Sequence, residues 1–160
     1  MLNLNSSSEL NELFKTPEEA DEMLQYLARR DILSFTLYTK PDYQISWHHR
    51  KLAEKLNAFI RGEITYLMVF MPPRHGKSEL VSRRVPAMLH GLYPDAEIMA
   101  ASYLDSLAGD MTIDVQNIID SKEYKILFPE TRIYPPGTSY TKGTRNSTEH
   151  HIVGKRGKYR

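Results

Sequence analysis

The fold is decided by the stretch Ile64-Thr65-Tyr66-Leu67-Met68-Val69-Phe70-Met71-Pro72-Pro73-Arg74-His75-Gly76-Lys77-Ser78. Its apolar first half predicts a strand, and the residues after it have helical periodicity, so the order is strand, loop and helix. A phosphate-binding loop requires this order, because the helix N-terminus directs unpaired backbone N–H groups at anionic oxygens while the strand anchors the turn. We therefore predict that Lys77 contacts the terminal phosphates of a nucleotide and that Ser78 binds Mg²⁺.

The loop departs from the common pattern G-x-x-x-x-G-K-[ST], since Met71 occupies the place of the first glycine. Pro72 and Pro73 restrict the backbone where glycine would leave it free. The turn is therefore built differently from that of a kinase or a small GTPase. An ordinary strand-to-helix turn with a solvated lysine stays open as the alternative.

The composition of the 160-residue chain fits one soluble domain with a single hydrophobic core. The absence of cysteine excludes disulfides and thiolate metal sites and is typical of a reducing compartment, so we expect a cytoplasmic protein. Residues Met1 to Ser8 lack a basic start followed by an apolar run, and no apolar stretch reaches membrane-spanning length, so no membrane partner is predicted. Neither His48-His49 nor His150-His151 has the spacing of a zinc site.

The charge of the chain is unevenly distributed. Residues 132–160 carry seven Lys or Arg against one Asp or Glu, whereas the residues before them carry 14 against 19. A basic segment with interleaved Gly, Thr and Tyr is compatible with contact to DNA phosphates. The commoner explanation for such a segment is a solvated set of loops and edge strands.

Capping signals predict two helices before the loop. Thr16 opens a helix over residues 17–30 through a capping box with proline at its first position. Ser46 caps a second helix with apolar residues at helical spacing, and Gly62 stands just beyond its end. This part of the chain is predicted to pack rather than to carry chemistry.

The pattern after the loop alternates between helix and strand. A helix over residues 77–90 is expected to kink at Pro86, and Ser102 caps another helix. Short apolar runs predict strands at 97–101 and 149–153. This alternation favours an α/β fold with a parallel sheet flanked by helices, in which ligands bind at the carboxyl ends of the strands.

Four groups of residues resemble a known family. They are Trp47-His48-His49, then Met71-Pro72-Pro73-Arg74-His75-Gly76-Lys77-Ser78-Glu79-Leu80-Val81-Ser82-Arg83-Arg84, then Ala101-Ser102-Tyr103 with Leu107-Ala108, and Leu127-Phe128-Pro129. Over residues 40–135 the chain resembles the ATPase domain of tailed-bacteriophage terminase large subunits. The resemblance implies a P-loop NTPase fold of the RecA type (ASCE class), here incomplete, with an N-terminal helical extension over 1–45 and a partial ATPase domain over 46–160.

The resemblance also implies a function. Such a protein is a motor that uses ATP and Mg²⁺ to translocate double-stranded DNA into a procapsid, in the cytoplasm of the bacterial host. Its implied partners are the terminase small subunit, the portal and further copies of itself in a ring. The family's later acidic motif and its C-terminal nuclease domain are missing here, so we interpret the chain as an N-terminal fragment that hydrolyses ATP very slowly by itself. The carboxylates that remain do not end an apolar strand, as the water-positioning acid should; they are Asp95, Asp110, Asp114 and Asp120.

Individual site residues can be assigned with their alternatives. The guanidinium of Arg74 is suited to neutralising charge on the transferring phosphoryl group, against the alternative of an exposed loop arginine. His48 follows Trp47 where related motors place an adenine-reading glutamine, against the alternative of a surface or capping histidine. The predicted catalytic residues are Lys77 and Arg74. The predicted nucleotide-binding residues are Pro73, Arg74, His75, Gly76, Lys77, Ser78, Glu79 and His48, with Ser78 as the Mg²⁺ ligand.

Two other classes of function stay open. Another P-loop phosphotransferase, such as a small-molecule kinase, would need an acceptor pocket and a lid containing arginines. A non-catalytic module would bind nucleotide, or DNA through its basic end, without turnover. Arg83 and Arg84 receive no predicted role, because a basic pair on a helix is usually solvated.

Overall fold

The computed structural model describes residues 16–137, 139–140 and 143–160. These residues form a mixed α/β fold in which about half of the residues are helical and the strands are short. Residues 1–8, on which the expectation of no secretion signal rests, lie outside the described part of the chain. Among the helices that the structure describes, none combines the length and the apolar character needed to cross a bilayer.

In the described part of the chain, three helices precede the loop: α1 (Pro17–Ala28), α2 (Ile32–Thr39) and α3 (Trp47–Ile60). The predicted start of α1 is confirmed, because the hydroxyl of Thr16 accepts a hydrogen bond from the backbone N–H of Glu19 at 3.2 Å. Helix α1 ends two residues earlier than predicted. Helix α3 begins directly after Ser46 and ends before Gly62, as predicted, and Gly62 has the left-handed backbone (φ 73°) of a helix-ending glycine.

Helix α2 was not predicted from the sequence. Its residues Ile32, Leu33 and Phe35 are buried, so it is apolar on most of its surface and has no amphipathic period to detect. Asp31 fixes its first turn, because its carboxylate accepts from the backbone N–H of Ser34 at 2.7 Å. The other carboxylate oxygen accepts from the side chain of Asn57 at 2.6 Å, which ties α2 to α3.

The helix after the loop differs from the prediction. A single α-helix with a kink at Pro86 was expected, whereas the structure has a π-helical segment (Glu79–Arg84) followed by helix α4 (Val85–Leu92). Pro86 lies in the first turn of α4, where its missing N–H is tolerated. The N–H of Val85 bonds to the carbonyl of Leu80, five residues back. The wider π-helical turn thus accommodates Pro86, so that its missing N–H does not interrupt a regular series of α-helical hydrogen bonds.

Helices α5 (Asp105–Asp120) and α6 (Lys122–Leu127) complete the helical part. The expected cap at Ser102 is wrong, since α5 begins at Asp105 and its capping position, Leu104, makes no side-chain bond. Helix α6 has a hydroxyl cap instead, because Ser121 accepts from the N–H of Tyr124 at 3.2 Å.

The sheet is smaller than predicted and only partly parallel. Strands β1 (Glu97–Ile98), β4 (His150–His151) and β5 (Lys158–Tyr159) form it in the order β1-β5-β4. β1 and β5 are parallel, with Ile98 opposite Tyr159, whereas β4 and β5 are antiparallel. β2 (Ser139–Tyr140) and β3 (Gly143–Thr144) form a separate antiparallel pair. The parallel arrangement expected from the sequence is therefore confirmed for β1 with β5 and is wrong for β4 with β5.

The predicted strand before the loop forms no ladder with any residue that the structure describes. The segment nevertheless alternates like a strand: Leu67 and Val69 pack against the core, whereas Tyr66, Met68 and Phe70 are 92%, 81% and 86% exposed. An apolar cavity of about 540 Å³ lies beside Leu67 and Val69 and extends to β1. The segment and β1 are thus separated by a cavity rather than joined by hydrogen bonds.

The core contains an aromatic cluster and a polar one. The Phe35 ring centroid lies 6.2 Å from that of Tyr124 and 6.3 Å from that of Phe128, and all three rings are buried. Beneath the sheet, His90 packs against His150, which stacks on Tyr159 with ring centroids 5.4 Å apart in each case. The polar atoms of these last three rings have no hydrogen-bond partner among the described residues.

Candidate nucleotide-binding site

The backbone of the predicted loop alternates in hand. Arg74 (φ 62°) and Gly76 (φ 77°) are left-handed, and His75 between them is not. Such alternation turns successive N–H groups toward one side and forms a concave anion site. The helix begins at the next residue, and the N–H of Leu80 bonds to the carbonyl of Gly76 at 3.1 Å. The left-handed arginine therefore lies three residues before the helix start, and the left-handed Gly76 lies directly before it.

Lys77 and Ser78 lie at this helix start and are half-buried. Within the described part of the chain, the ammonium group of Lys77 has no ion pair or hydrogen bond, and neither has the hydroxyl group of Ser78. Lys77 borders an open hollow of about 410 Å³ that it shares with Val69, Phe70, Met71 and Pro72. The side chains predicted to bind phosphate and magnesium thus have no partner among the described residues, and Lys77 lies beside an open hollow.

The structure brings His48 and His75 together, as their predicted common role requires. Their ring centroids are 5.7 Å apart, and the exposed Trp47 ring meets His48 edge-on at 5.8 Å. His75 Nδ1 lies 2.8 Å from the carbonyl oxygen of Pro73. Because a carbonyl only accepts, His75 carries its proton on Nδ1 and this bond closes the turn. An aromatic surface therefore borders the loop on its α3 side.

Two residues that the sequence did not single out support the loop from behind. A Cβ atom at Gly76 would lie 2.5 Å from Nε2 of His49 and 2.6 Å from the hydroxyl of Tyr43. No side chain fits there, so glycine is required by space as well as by its positive φ. The available signal was the position of His49, three residues after the Ser46 cap, where a capping box places a side chain that reaches back.

Glu79 faces away from the loop into a cluster of charges. Its Oε1 lies 2.8 Å from Nη2 of the buried Arg84, and Arg83 and Lys40 approach its two oxygens at 3.6 Å. Burial alone would raise the pKa of Glu79, but the hydrogen bond and charge of Arg84, together with the charges of Lys40 and Arg83, hold the pKa below its ordinary value. Arg84 also donates to the hydroxyl of Thr39 at 2.7 Å. Arg84 is therefore a core residue rather than a solvated one, and the nucleotide role of Glu79 stays a prediction.

Three of the four named carboxylates have structural partners. Asp114 pairs with Arg83, Asp120 lies 2.7 Å from a guanidinium nitrogen of Arg145, and Asp95 accepts from the backbone N–H of Arg156 at 2.8 Å. These contacts hold the helices and the C-terminal loops together.

The basic end of the chain is partly neutralised. Arg145 is buried between Asp120 and the amide oxygen of Gln116, and Lys158 pairs with Glu97 at 3.1 Å. Arg160 lies 3.5 Å from a carboxylate oxygen of Glu149. Part of the positive charge counted in the sequence therefore serves the fold.

Over the described ranges, which omit 1–15, 138 and 141–142, no three His, Cys, Asp or Glu side chains form a group that could hold a metal ion. Comparisons of the chain with family models, with curated proteins and with solved structures found no match. The function must therefore be argued from the geometry of the loop and its surroundings.

Proposed function

We propose that residues 71–78 bind the phosphates of ATP and that the chain is a P-loop NTPase. The observation that carries this proposal is the alternation of backbone hand at Arg74 and Gly76, directly before a helix start. The free ammonium of Lys77 supplies the positive charge that such a loop brings to the terminal phosphates. No other part of the sequence suggested a phosphate site of this kind.

Most of the predicted residues have a role in this proposal, and Pro73 and Glu79 have none. The backbone around His75 and Gly76 surrounds the phosphate oxygens, Lys77 neutralises their charge, and the exposed Arg74 lies where it can approach the transferring group. His48 with Trp47 offers an aromatic border that suits the base.

The residues fit a magnesium ion delivered with the nucleotide. Mg²⁺ usually keeps several waters and binds phosphate oxygens with one or two protein ligands. The hydroxyl of Ser78, which has no partner among the described residues, would be one such ligand. The ion would neutralise charge that develops on the phosphates. Lys77 and Arg74 would contribute to the same neutralisation from the protein side.

The more specific proposal is a DNA-packaging motor of the terminase kind. It rests on the resemblance of the loop and its flanking groups to that family, and it includes double-stranded DNA, a small subunit, a portal and a ring of copies as partners. Because Asp95, Asp114 and Asp120 are held in structural contacts, we propose that none of them positions the attacking water. The chain by itself is accordingly expected to bind ATP and to hydrolyse it very slowly.

Calorimetry with Mg²⁺ and ATP tests the proposal on the unmodified chain and on Lys77→Ala. We expect binding that falls at least tenfold in Lys77→Ala, with little hydrolysis in either sample. Lys51→Ala is the matched control, because Lys51 is an exposed lysine that pairs only with Glu54 at 3.4 Å. Equal binding by the unmodified chain and Lys77→Ala would exclude a functional phosphate loop. Rapid hydrolysis would show that a carboxylate of this chain positions water after all.

A further inference from the structure

The ring of His49 connects the start of helix α3 to the loop. The backbone N–H of Ser46 donates to His49 Nδ1 at 3.0 Å. Because Nδ1 accepts, the proton of the neutral ring lies on Nε2, which is 3.0 Å from the carbonyl oxygen of His75. The ring thus receives one hydrogen bond from the helix start and donates to the loop backbone, one residue before Gly76. The same Nε2 also lies 3.1 Å from Nε2 of His48.

The contact is tight on the loop side. A Cβ at Gly76 would lie 2.5 Å from His49 Nε2 and 2.6 Å from the Tyr43 hydroxyl, and the Tyr43 and His49 ring centroids are 5.3 Å apart. The loop backbone therefore lies directly against both rings. A shift of His49 necessarily moves the carbonyl of His75 and the left-handed turn that follows it.

We propose that His49 is a positioning residue of the phosphate site, and that its neutral ring holds the loop in the conformation that accepts an anion. The inference rests on the proposed function, since it concerns the same loop. Protonation of His49 adds a proton to Nδ1, the atom that accepts from the backbone N–H of Ser46 in the neutral ring. Two N–H groups then face each other. The Ser46 bond is then lost, the ring moves, and the loop is released.

The groups around His49 determine where this titration occurs. Burial lowers its pKa, the hydrogen bond to the His75 carbonyl raises it, and the neighbouring rings of His48 and His75 lower it again. Tyr43, on the segment before α3, faces the ring with a neutral hydroxyl whose pKa burial raises further. Since the net direction is downward, phosphate binding is expected to weaken as the pH falls below about 6.5, the ordinary histidine value.

Two variants of His49 separate its roles. The amide of His49→Gln can reach either the N–H of Ser46 or the carbonyl of His75, but it does not titrate. His49→Phe replaces the imidazole by an apolar ring that makes neither bond. His151→Gln is the matched control, because His151 is a half-buried histidine on β4 that pairs with Glu149 at 2.6 Å, outside the site. MgATP affinity is measured by calorimetry between pH 5.5 and pH 8 for all four proteins, with hydrogen exchange of the amides of residues 74–78 in the nucleotide-free state.

We expect the affinity of the unmodified chain and of His151→Gln to fall several-fold more steeply with acid than that of either His49 variant. At pH 8, His49→Phe is expected to bind about tenfold more weakly than the unmodified chain, because both hydrogen bonds that hold the loop are lost. Its loop amides are expected to exchange faster. A residue that only stabilises the fold would lower the unfolding temperature without removing the pH dependence.

The opposite results overturn the inference. If His49→Phe shows the affinity, the pH profile and the loop exchange of the unmodified chain, His49 does not position the loop. If no protein binds MgATP at any pH, the proposed function fails, and hydrogen exchange alone decides: faster exchange of residues 74–78 in His49→Phe supports positioning, and unchanged exchange excludes it.

Discussion

Arg84 Nη2 lies 2.8 Å from Glu79 Oε1, and this pair joins the first turn after the loop to the base of helix α4. The arginine side chain is only 7% exposed and the carboxylate is 16% exposed, so both charges are largely removed from water. Lys40, at the end of α2, and Arg83 complete the cluster around the carboxylate. The loop's helix is thus anchored by charge to the helices on both sides.

Arg84→Met is expected to destabilise the fold by about 3 kcal/mol, because it leaves the carboxylate of Glu79 buried with weaker partners. Chemical denaturation measures the loss as a lower midpoint. Arg61→Ala is the control, since Arg61 pairs with Glu63 at 2.6 Å on the exposed surface and its removal should leave the midpoint unchanged. Equal midpoints for all three proteins would mean that the buried pair contributes nothing to stability.

Arg74→Gly is expected to stabilise the protein by about 1 kcal/mol, because glycine adopts the left-handed backbone at φ 62° without the steric cost of a side chain. Arg74→Ala is the control that isolates this effect, since alanine retains the strain. The unfolding temperature should therefore be higher for Arg74→Gly than for Arg74→Ala or the unmodified chain. A stability gain in Arg74→Ala as large as in Arg74→Gly would place the effect in the side chain instead.

The alternation of buried and exposed side chains over residues 66–70 can be tested by substituting two adjacent positions. Leu67→Ala is expected to cost about 1–2 kcal/mol, because Leu67 packs against the core. Met68→Ala, at the next position, should change stability by no more than about 0.5 kcal/mol, because Met68 is 81% exposed. Urea denaturation of both variants measures the difference. Similar losses at the two positions would contradict the strand-like alternation.

The buried histidines predict sensitivity to acid. Burial lowers the pKa of His90 to about 4, and burial with the charges of His90, Arg145 and His151 lowers that of His150 to about 3. Below about pH 6.5 the unfolded chain binds protons at these positions while the folded chain does not, so stability is complete above that pH and falls as the pH decreases toward 4.

Each unit of pKa difference corresponds to about 1.4 kcal/mol, so the expected loss amounts to several kcal/mol. His90→Leu combined with His150→Leu should flatten the profile and should not reduce stability at pH 7, since neither imidazole has a hydrogen-bond partner among the described residues. The free energy of unfolding measured by urea titration at pH 4.5, 5.5 and 7 checks both expectations. An unchanged slope in the double variant would assign the acid sensitivity to other groups.

Local signals predicted the local structure well. Thr16 and Ser46 marked two helix starts correctly, and Gly62 marked a helix end, because capping is decided by a few neighbouring residues. The loop residues were named because their order along the chain has a direct chemical meaning, and their role in binding nucleotide stays a prediction. His48 and His75 were both named as site residues, and their rings do lie next to each other.

Features that depend on the whole fold were missed. Helix α2 is apolar almost all round, so periodicity could not reveal it, and the partners of the predicted strand at 64–70 are not a property of its own sequence. The proline at position 86 was recognised, but whether it would kink a helix or shift it to π geometry depends on packing around α4. His49 was overlooked because its role requires the loop, 26 residues later, to lie against it.

The parallel pairing of β1 with β5 has a consequence for the order of events during synthesis. Ile98 and Tyr159 are about sixty residues apart in the chain, so the two strands cannot meet until the later one has left the ribosome. The contacts that helices α1 to α3 make with one another join segments that are close in the chain, so these three helices can form and associate well before then. During that interval Ile98 has no strand beside it, so the backbone groups of β1 that pair with β5 stay unpaired until β5 emerges.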